Sequence, residues 1–290
     1  MLLRMFKRQR TGSVVCACGS LVGVNDEQCY TCGRRNPGLW GYASMVRMLG
    51  GDIGFFVTLI LYGCSILYGI GVLLSVRWGF DIMGGGNPLA ALSPAPLARL
   101  MFGASGTLPV FQYGMWWTVL SAGWLHGGIL HLVFNMMAVR NLAPPTADIY
   151  GAPRMIIIYT LGSVGGFLLS SVAGLFNIPR FGGYLTLGAS APIFGLLGGL
   201  MYYGRQSGSS IVHAEAKGYA LGFFVFGFLV PGIDNAAHAG GFIGGYLAGM
   251  LLNPLKPQTP GHLIGALVCL LLTALAIVAS ILVVWPAIPR

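Results

Sequence analysis

Charged side chains are scarce in this 290-residue chain. Asp, Glu, Lys and Arg together make up 8% of the sequence, whereas hydrophobic residues make up 56%. Soluble globular domains carry about 25% charged residues. The composition therefore excludes an ordinary soluble domain and predicts an all-α polytopic membrane protein.

Acidic side chains are almost absent from the apolar segments. Proton relays and cation pathways inside membranes normally use Asp or Glu, so this shortage argues against a transporter. It leaves Ser, His and Asn as the polar groups within the predicted spans. The net charge of +9 would suit a nucleic-acid partner, but membrane topology accounts for it, and we expect no nucleic-acid partner.

Seven apolar segments predict seven transmembrane helices, since a span needs about 20 residues. We place the spans at 54–76, 116–139, 155–176, 187–203, 219–230, 236–252 and 263–285. The predicted organisation is a basic tail (1–12), a zinc-ribbon-like segment (13–38), a linker (39–53), a six-helix core (54–253) and one additional C-terminal helix (254–290). Within the long loop at 77–115, we expect a short surface helix at 96–102.

The distribution of Lys and Arg predicts the orientation of these spans. With a cytoplasmic N-terminus and an outer C-terminus, twelve basic residues lie inside and four outside, as the positive-inside rule requires. The Ser, His and Asn side chains then fall in the outer half of the bilayer. The basic N-terminus is not followed by an apolar core and a cleavage site, so we expect no signal peptide. We expect an integral protein of a bacterial plasma membrane.

Four of the six cysteines form a C-x-C-x10-C-x2-C pattern near the N-terminus: Cys16, Cys18, Cys29 and Cys32. Thiolates paired on tight Gly turns can converge tetrahedrally on Zn²⁺. Two disulfides are the alternative, but a cytoplasmic segment rarely contains them. So short a segment has too little core to fold unaided, which favours a structural zinc site.

Three polar groups of residues stand out in the spans. Ser190 is flanked by Ala189 and Ala191 at the start of an apolar run, His131 and Asn135 share a helix face, and His238 follows Asn235. Glycines repeat at 241, 245 and 249 and at 188, 195, 198 and 199, and such small residues let helices approach closely. Two glycine-lined helices would bring Ser190 within hydrogen-bond reach of His238.

Serine becomes a nucleophile when a neighbouring imidazole accepts its proton. Asp234 is the acid nearest to His238 in sequence, but it falls at the membrane surface, so we predict a Ser190–His238 dyad. The backbone N–H of Ser190 and the side chains of His131 and Asn135 suit an oxyanion hole. The alternative is that Ser190 only packs in a glycine-rich helix. Ser105, in a similar Gly-Ala-Ser-Gly stretch, is read as a turn residue.

Three motifs in order resemble those of the rhomboid intramembrane serine proteases. They are His126-Gly-Gly-Ile-Leu-His131-Leu-Val-Phe-Asn135-Met, Gly188-Ala-Ser190-Ala-x2-Phe-Gly195, and Asn235-Ala-Ala-His238-x-Gly240-Gly-x2-Gly244. The resemblance covers about residues 52–253. It implies a six-plus-one rhomboid with an accessory zinc-ribbon-like extension.

The resemblance also implies an activity and its residues. Ser190 would be the nucleophile, His238 the base, and His131 and Asn135 the oxyanion donors, with no cofactor needed for catalysis. The substrates would be single-span membrane proteins cut near the outer face of the bilayer, and the N-terminal segment would have an unknown partner. The family typically has Gly where this chain has Ala191. The alternative is therefore an inactive rhomboid-like protein that binds transmembrane segments.

Overall fold

The structure is a computed structural model that describes residues 9–16, 18–42, 53–83, 91–178 and 181–287. Most of the predicted basic tail and of the predicted linker lies outside the described residues. Six of the sixteen basic residues counted for topology lie outside them as well: Arg4, Lys7, Arg8, Arg47, Arg180 and Arg290.

The N-terminal segment folds around its own small core. Strand β1 (Ser13–Val15) pairs antiparallel with β2 (Leu21–Gly23), and Val14 lies opposite Val22. The buried side chains of this unit are Val14, Cys16, Val22, Val24 and Cys29. A two-stranded hairpin is marginal alone, so the packing of two cysteines within this core indicates that the cysteines help to hold it together.

The rest of the described chain is helical. The helices are α1 (Ile53–Arg77), α2 (Pro96–Met101), α3 (Thr118–Ser121), α4 (Ile129–Tyr150), α5 (Ala152–Ala173), α6 (Ser190–Ser207), α7 (Ser210–Leu229), α8 (Asn235–Leu252) and α9 (Pro260–Val284). In the described part, three helices are long and apolar enough to cross a membrane: α1, α5 with its 3-10 extension, and α9 with its own. A fourth is counted if the bent pair α3–α4 forms one span. The all-α membrane fold is confirmed, whereas seven spans stay a prediction.

The second predicted span differs from the helix that the structure contains. The chain bends by 92° between Trp124 and Ile129, and α4 then runs to Tyr150 with Pro144 and Pro145 inside it. His126 therefore lies in the bend, and its placement within a continuous span was wrong. Three glycines in the stretch from 123 to 128 weaken the helix there, since glycine disfavours a helix interior.

Three helices are in direct backbone contact at the centre of the fold. A β-carbon at Gly245 of α8 would overlap the carbonyl oxygen of Gly195 of α6, and one at Gly195 would lie 2.8 Å from the Cα of Gly162 on α5. A β-carbon at Gly241 would overlap the carbonyl oxygen of Ala191. The predicted glycine stripes thus do bring α6 and α8 together, and α5 joins them through glycines that the sequence reading had not singled out.

This backbone contact makes a testable prediction about stability. Gly245→Ala adds a methyl group where the α6 backbone already lies, so we expect it to lower the free energy of unfolding by about 1–3 kcal/mol or more. The measurement is the thermal unfolding midpoint of the full chain in detergent micelles. Gly222→Ala on α7 is the matched control, because nothing lies within 4 Å of its β-carbon. Equal midpoints for the two variants would show that α6 and α8 are not in backbone contact.

Candidate active site and cysteine cluster

Ser190 is the first residue of α6. The first N–H groups of a helix have no intrahelical acceptor and carry the positive end of its dipole. Pro192 occupies the third position, where its missing N–H removes no helical hydrogen bond. Gly188 precedes the helix with φ +137°, a conformation that side chains rarely adopt. The start of α6 therefore presents the Ser190 hydroxyl together with free backbone donors.

His238 lies on the face of α6 that carries Ser190. Its ring stacks on Phe194, with centroids 4.3 Å apart and planes 16° apart, and Phe194 is one helical turn beyond Ser190. His238 is 5% exposed, and its Nδ1 is buried without a hydrogen-bond partner in the described part of the chain. Within the described residues no hydrogen bond joins Ser190 to His238. The His238 side chain thus lies along the face of α6 that carries Ser190, without a hydrogen bond between the two.

His131 approaches the same point from α4. A β-carbon at Gly188 would lie 2.8 Å from His131 Nε2 and 3.6 Å from Ser190 Oγ. The N–H of Gly127 donates to His131 Nδ1 at 3.2 Å. Asn135 is buried one turn later, and its Nδ2 donates to the His131 carbonyl oxygen at 2.8 Å. The structure therefore brings His131 beside Ser190, with Asn135 directly behind it.

The methyl group of Ala191 packs against α5 and α8. It is fully buried with Val119, Ala122, Phe167 and Ala237. A β-carbon at Gly166 of α5 would lie 2.7 Å from the Ala191 methyl group. The methyl group therefore belongs to the packing of α6 against α5 and α8.

Asp234 has a structural position that the sequence reading did not anticipate. It is the N-cap of α8, where Oδ1 accepts from the N–H of Ala237 and from the N–H of Gly182, both at 3.1 Å. Its Oδ2 accepts from the Ser170 hydroxyl of α5. One carboxylate thus joins α8, α5 and the loop before α6. The sequence did contain a signal for this role, because Asp234 lies just before the predicted start of the sixth span and Asp is a preferred N-cap residue.

Two other polar residues have definite positions. Ser105 is fully buried and pairs through its backbone with Thr186, at 2.9 and 2.7 Å, so it holds the loop after α2 to the loop before α6. His126 is 2% exposed and both of its ring nitrogens lack partners among the described residues. Its ring lies 5.2 Å from that of His131.

The four N-terminal cysteines converge. Their sulfur atoms all lie within 4.8 Å of one another, with Cys16–Cys32 and Cys18–Cys29 each 3.7 Å apart. A tetrahedral zinc site with Zn–S distances of about 2.3 Å requires sulfurs about 3.8 Å apart. The thiols are not bonded as disulfides. Hydrogen bonds with Ser20, and the nearby Cys32 thiol, lower the pKa of Cys18 to about 6, whereas the neighbouring thiols, that of Cys18 first, raise the pKa of Cys32 to about 11. The convergence of the four sulfurs, rather than their ionisation, therefore supports a metal site.

Comparison with known proteins agrees with the motifs. Residues 113–255 match the model of the Rhomboid domain. The chain is 34% identical over 179 residues to Rhomboid protease GluP of Bacillus subtilis (strain 168), covering 61% of this chain and 33% of that protein. It is 32% identical over 174 residues to RHOMBOID-like protein 4 of Arabidopsis thaliana, covering 57% of this chain and 41% of that protein.

The chain thus spans less than half the length of these relatives. The matched region nevertheless contains all four residues at the candidate site: His131, Asn135, Ser190 and His238. The domain match, the similarity to these relatives and the helical membrane fold together lead to one conclusion: residues 113–255 of the chain form a rhomboid domain.

Proposed function

We propose that this chain is an intramembrane serine endopeptidase that cleaves single-span membrane proteins near the outer face of the membrane. The observation that carries the proposal is the meeting of Ser190, His238 and His131 at the start of α6. Ser190 is the nucleophile. His238 accepts its proton as general base and later returns it to the leaving amine.

We expect the dyad to close by side-chain movement. His238 is stacked on Phe194, which lies one helical turn beyond Ser190, so a turn of the His238 ring would bring it toward the Ser190 hydroxyl. Catalytic hydrogen bonds are often long before substrate binds and tighten in the complex. The free Nδ1 of His238 and the engagement of Asp234 elsewhere support a dyad without a third acidic member.

The developing oxyanion is stabilised by fixed donors. The N–H of Ser190 is free at the helix start, and His131 Nε2 lies on the same side of Gly188 as Ser190 Oγ. The side chain of Asn135, one turn after His131 on α4, is the third donor. Donors that are already oriented cost no reorganisation when charge develops, and removal of one typically lowers kcat by about 10²–10³.

The alternative of an inactive, segment-binding protein depended on Ala191 disturbing the oxyanion site. The burial of the methyl group against Gly166 supports the protease instead. We further propose a cytoplasmic N-terminus and an outer C-terminus in a bacterial plasma membrane. The division into a zinc-ribbon-like segment (13–38), a rhomboid core (54–253) and an additional helix (254–290) remains part of this proposal.

The first prediction from the proposed function concerns the dyad. Ser190→Ala and His238→Ala should each reduce cleavage by roughly 10⁴-fold or more, because the nucleophile and its base act as one unit. The measurement is product formation by purified full-length protein reconstituted with a panel of single-span substrates. A fluorophosphonate probe should label the wild type and leave Ser190→Ala unlabelled.

Ser207→Ala is the control for this experiment, because Ser207 is an exposed serine at the far end of the same helix. It should cleave at the wild-type rate. Wild-type cleavage no faster than that of Ser190→Ala, or probe labelling that persists in Ser190→Ala, would refute the protease.

The second prediction concerns Ala191. Ala191→Gly should leave kcat/KM within about twofold of the wild type, because the methyl group does not face the oxyanion. It should lower the free energy of unfolding by about 1–2 kcal/mol, through lost burial and helix propensity. A tenfold rise in kcat/KM at unchanged stability would show instead that the methyl group obstructs the site.

The third prediction concerns the cysteine cluster, which we propose holds a structural zinc ion through Cys16, Cys18, Cys29 and Cys32. Protein purified without chelator should contain about one zinc per chain by elemental analysis, since four thiolates complete a structural site. Cys29→Ser should lose most of the metal. Cys269→Ala on α9 is the control and should retain it. A zinc content near zero in the wild type would rule out the site.

A further inference from the structure

The residues at 91–95 form a docked segment between α1 and the bend that precedes α4. The hydroxyl of Tyr68 donates to the carbonyl oxygen of Leu92 at 2.6 Å, and the N–H of Ala95 donates to Ser75 Oγ at 2.8 Å. Tyr68 and Ser75 are two turns apart on α1. The docked segment is therefore fixed to a transmembrane helix at both ends.

Arg99 holds the same segment from the other side. Its Nε donates to the carbonyl oxygen of Pro94 at 2.6 Å, and its Nη2 donates to Ser93 Oγ at 2.5 Å. An arginine that is partly buried needs such acceptors, because its guanidinium cannot lose its charge. Both acceptors lie in the docked segment, so Arg99 sets the direction of the Ser93 hydroxyl.

Ser93, oriented by Arg99, in turn forms a hydrogen bond with Gly127. With its oxygen accepting from Arg99, the Ser93 hydroxyl donates to the carbonyl oxygen of Gly127. The segment makes a second contact with the bend, where the N–H of Ile129 donates to the carbonyl oxygen of Ala91 at 3.2 Å. Gly127 lies outside any helix and has wide backbone freedom, so its peptides need external partners to keep one orientation.

The peptide on the other side of Gly127 contacts the candidate site. Its N–H donates to His131 Nδ1 at 3.2 Å. A nitrogen that accepts a hydrogen bond carries no proton, so the proton of the neutral imidazole is on Nε2. Nε2 is the ring nitrogen beside Gly188, and Ser190 Oγ also lies close to Gly188. The opposite tautomer would present a lone pair to an oxyanion and could not stabilise it.

We propose that Arg99 and Ser93 are positioning residues, which set the tautomer and orientation of His131 through Gly127. The inference rests on the proposed role of His131 as an oxyanion donor. Neither residue lies in the three motifs, and neither touches Ser190 or His238 in the described structure. Their hydrogen bonds reach His131 by way of the bend between α3 and α4.

The test reads the tautomer directly. Full-length protein labelled with ¹⁵N in its histidine rings is studied in detergent micelles by long-range ¹H–¹⁵N correlation, and the His131 signals are identified by their loss in His131→Ala. In the wild type we expect a protonated Nε2 and an unprotonated Nδ1. In Ser93→Ala and Arg99→Met we expect a mixture of both tautomers, because Gly127 is no longer held.

Two matched controls separate this effect from general loss of a hydroxyl or a charge. Ser65→Ala removes an exposed hydroxyl that donates to a carbonyl oxygen within α1, and Arg77→Met removes an exposed cation at the end of α1. Both should keep the wild-type spectrum. An unchanged His131 pattern in Ser93→Ala and Arg99→Met, or an Nδ1–H tautomer in the wild type, would overturn the inference.

Kinetics provide a second readout. Arg99→Met should lower kcat about tenfold with KM unchanged, less than the effect of removing an oxyanion donor. In a His131→Ala background it should cost nothing further, since two residues that act through one group are not additive. A full additional tenfold loss in that background would also overturn the inference. If neither the wild type nor any variant cleaves a substrate, the protease proposal fails. The tautomer spectra would still decide the role of Ser93 and Arg99.

Discussion

Backbone contact among α5, α6 and α8 is the constraint on which the rest of the structure depends. Helices that carry side chains at their interface pack with axes about 8–10 Å apart. Here glycines meet glycines, as at Gly195 and Gly245, so the helices approach more closely. In a membrane, where lipid is as apolar as leucine, close packing of this kind is the main attraction between helices. It also places the first turns of α6 and α8 side by side, with Ser190 and His238 in them.

The polar groups of the site are held in position by contacts between residues that are far apart in the sequence. Asp234 caps α8 and holds the loop before α6, Ser105 connects that loop to the loop after α2, and Ser93 and Arg99 hold the bend before His131. Asp234, Ser93 and Arg99 use side chains to satisfy backbone groups, whereas Ser105 pairs with Thr186 backbone to backbone. A backbone group without a partner away from water would cost several kcal/mol. The scaffold of the site is therefore built from hydrogen bonds to irregular backbone, around a rigid glycine-packed centre.

Much of this arrangement was predictable from local patterns. The apolar runs located α1, α5, α8 and α9 to within a few residues, because hydropathy is a local property of the chain. The short helix at α2 followed from Pro96 and its apolar neighbours, and the glycine stripes indicated which helices approach one another. The four cysteines were predictable as a cluster because their spacing alone permits convergence. The break at 125–128 was not, because it depends on how Gly127 and Ile129 are held by a segment more than thirty residues earlier.

The sequence by itself determined the membrane character, the helical fold, the cysteine cluster and the identity of the residues at the candidate site. Only the tertiary structure decided how those residues face one another. Three features show this: the Ala191 methyl group is turned into the α5 interface, Asp234 is engaged as a cap, and Gly127 donates to His131. The physical reason is that direction depends on helix rotation and on hydrogen bonds between distant segments, and neither is encoded in the spacing of residues along one helix.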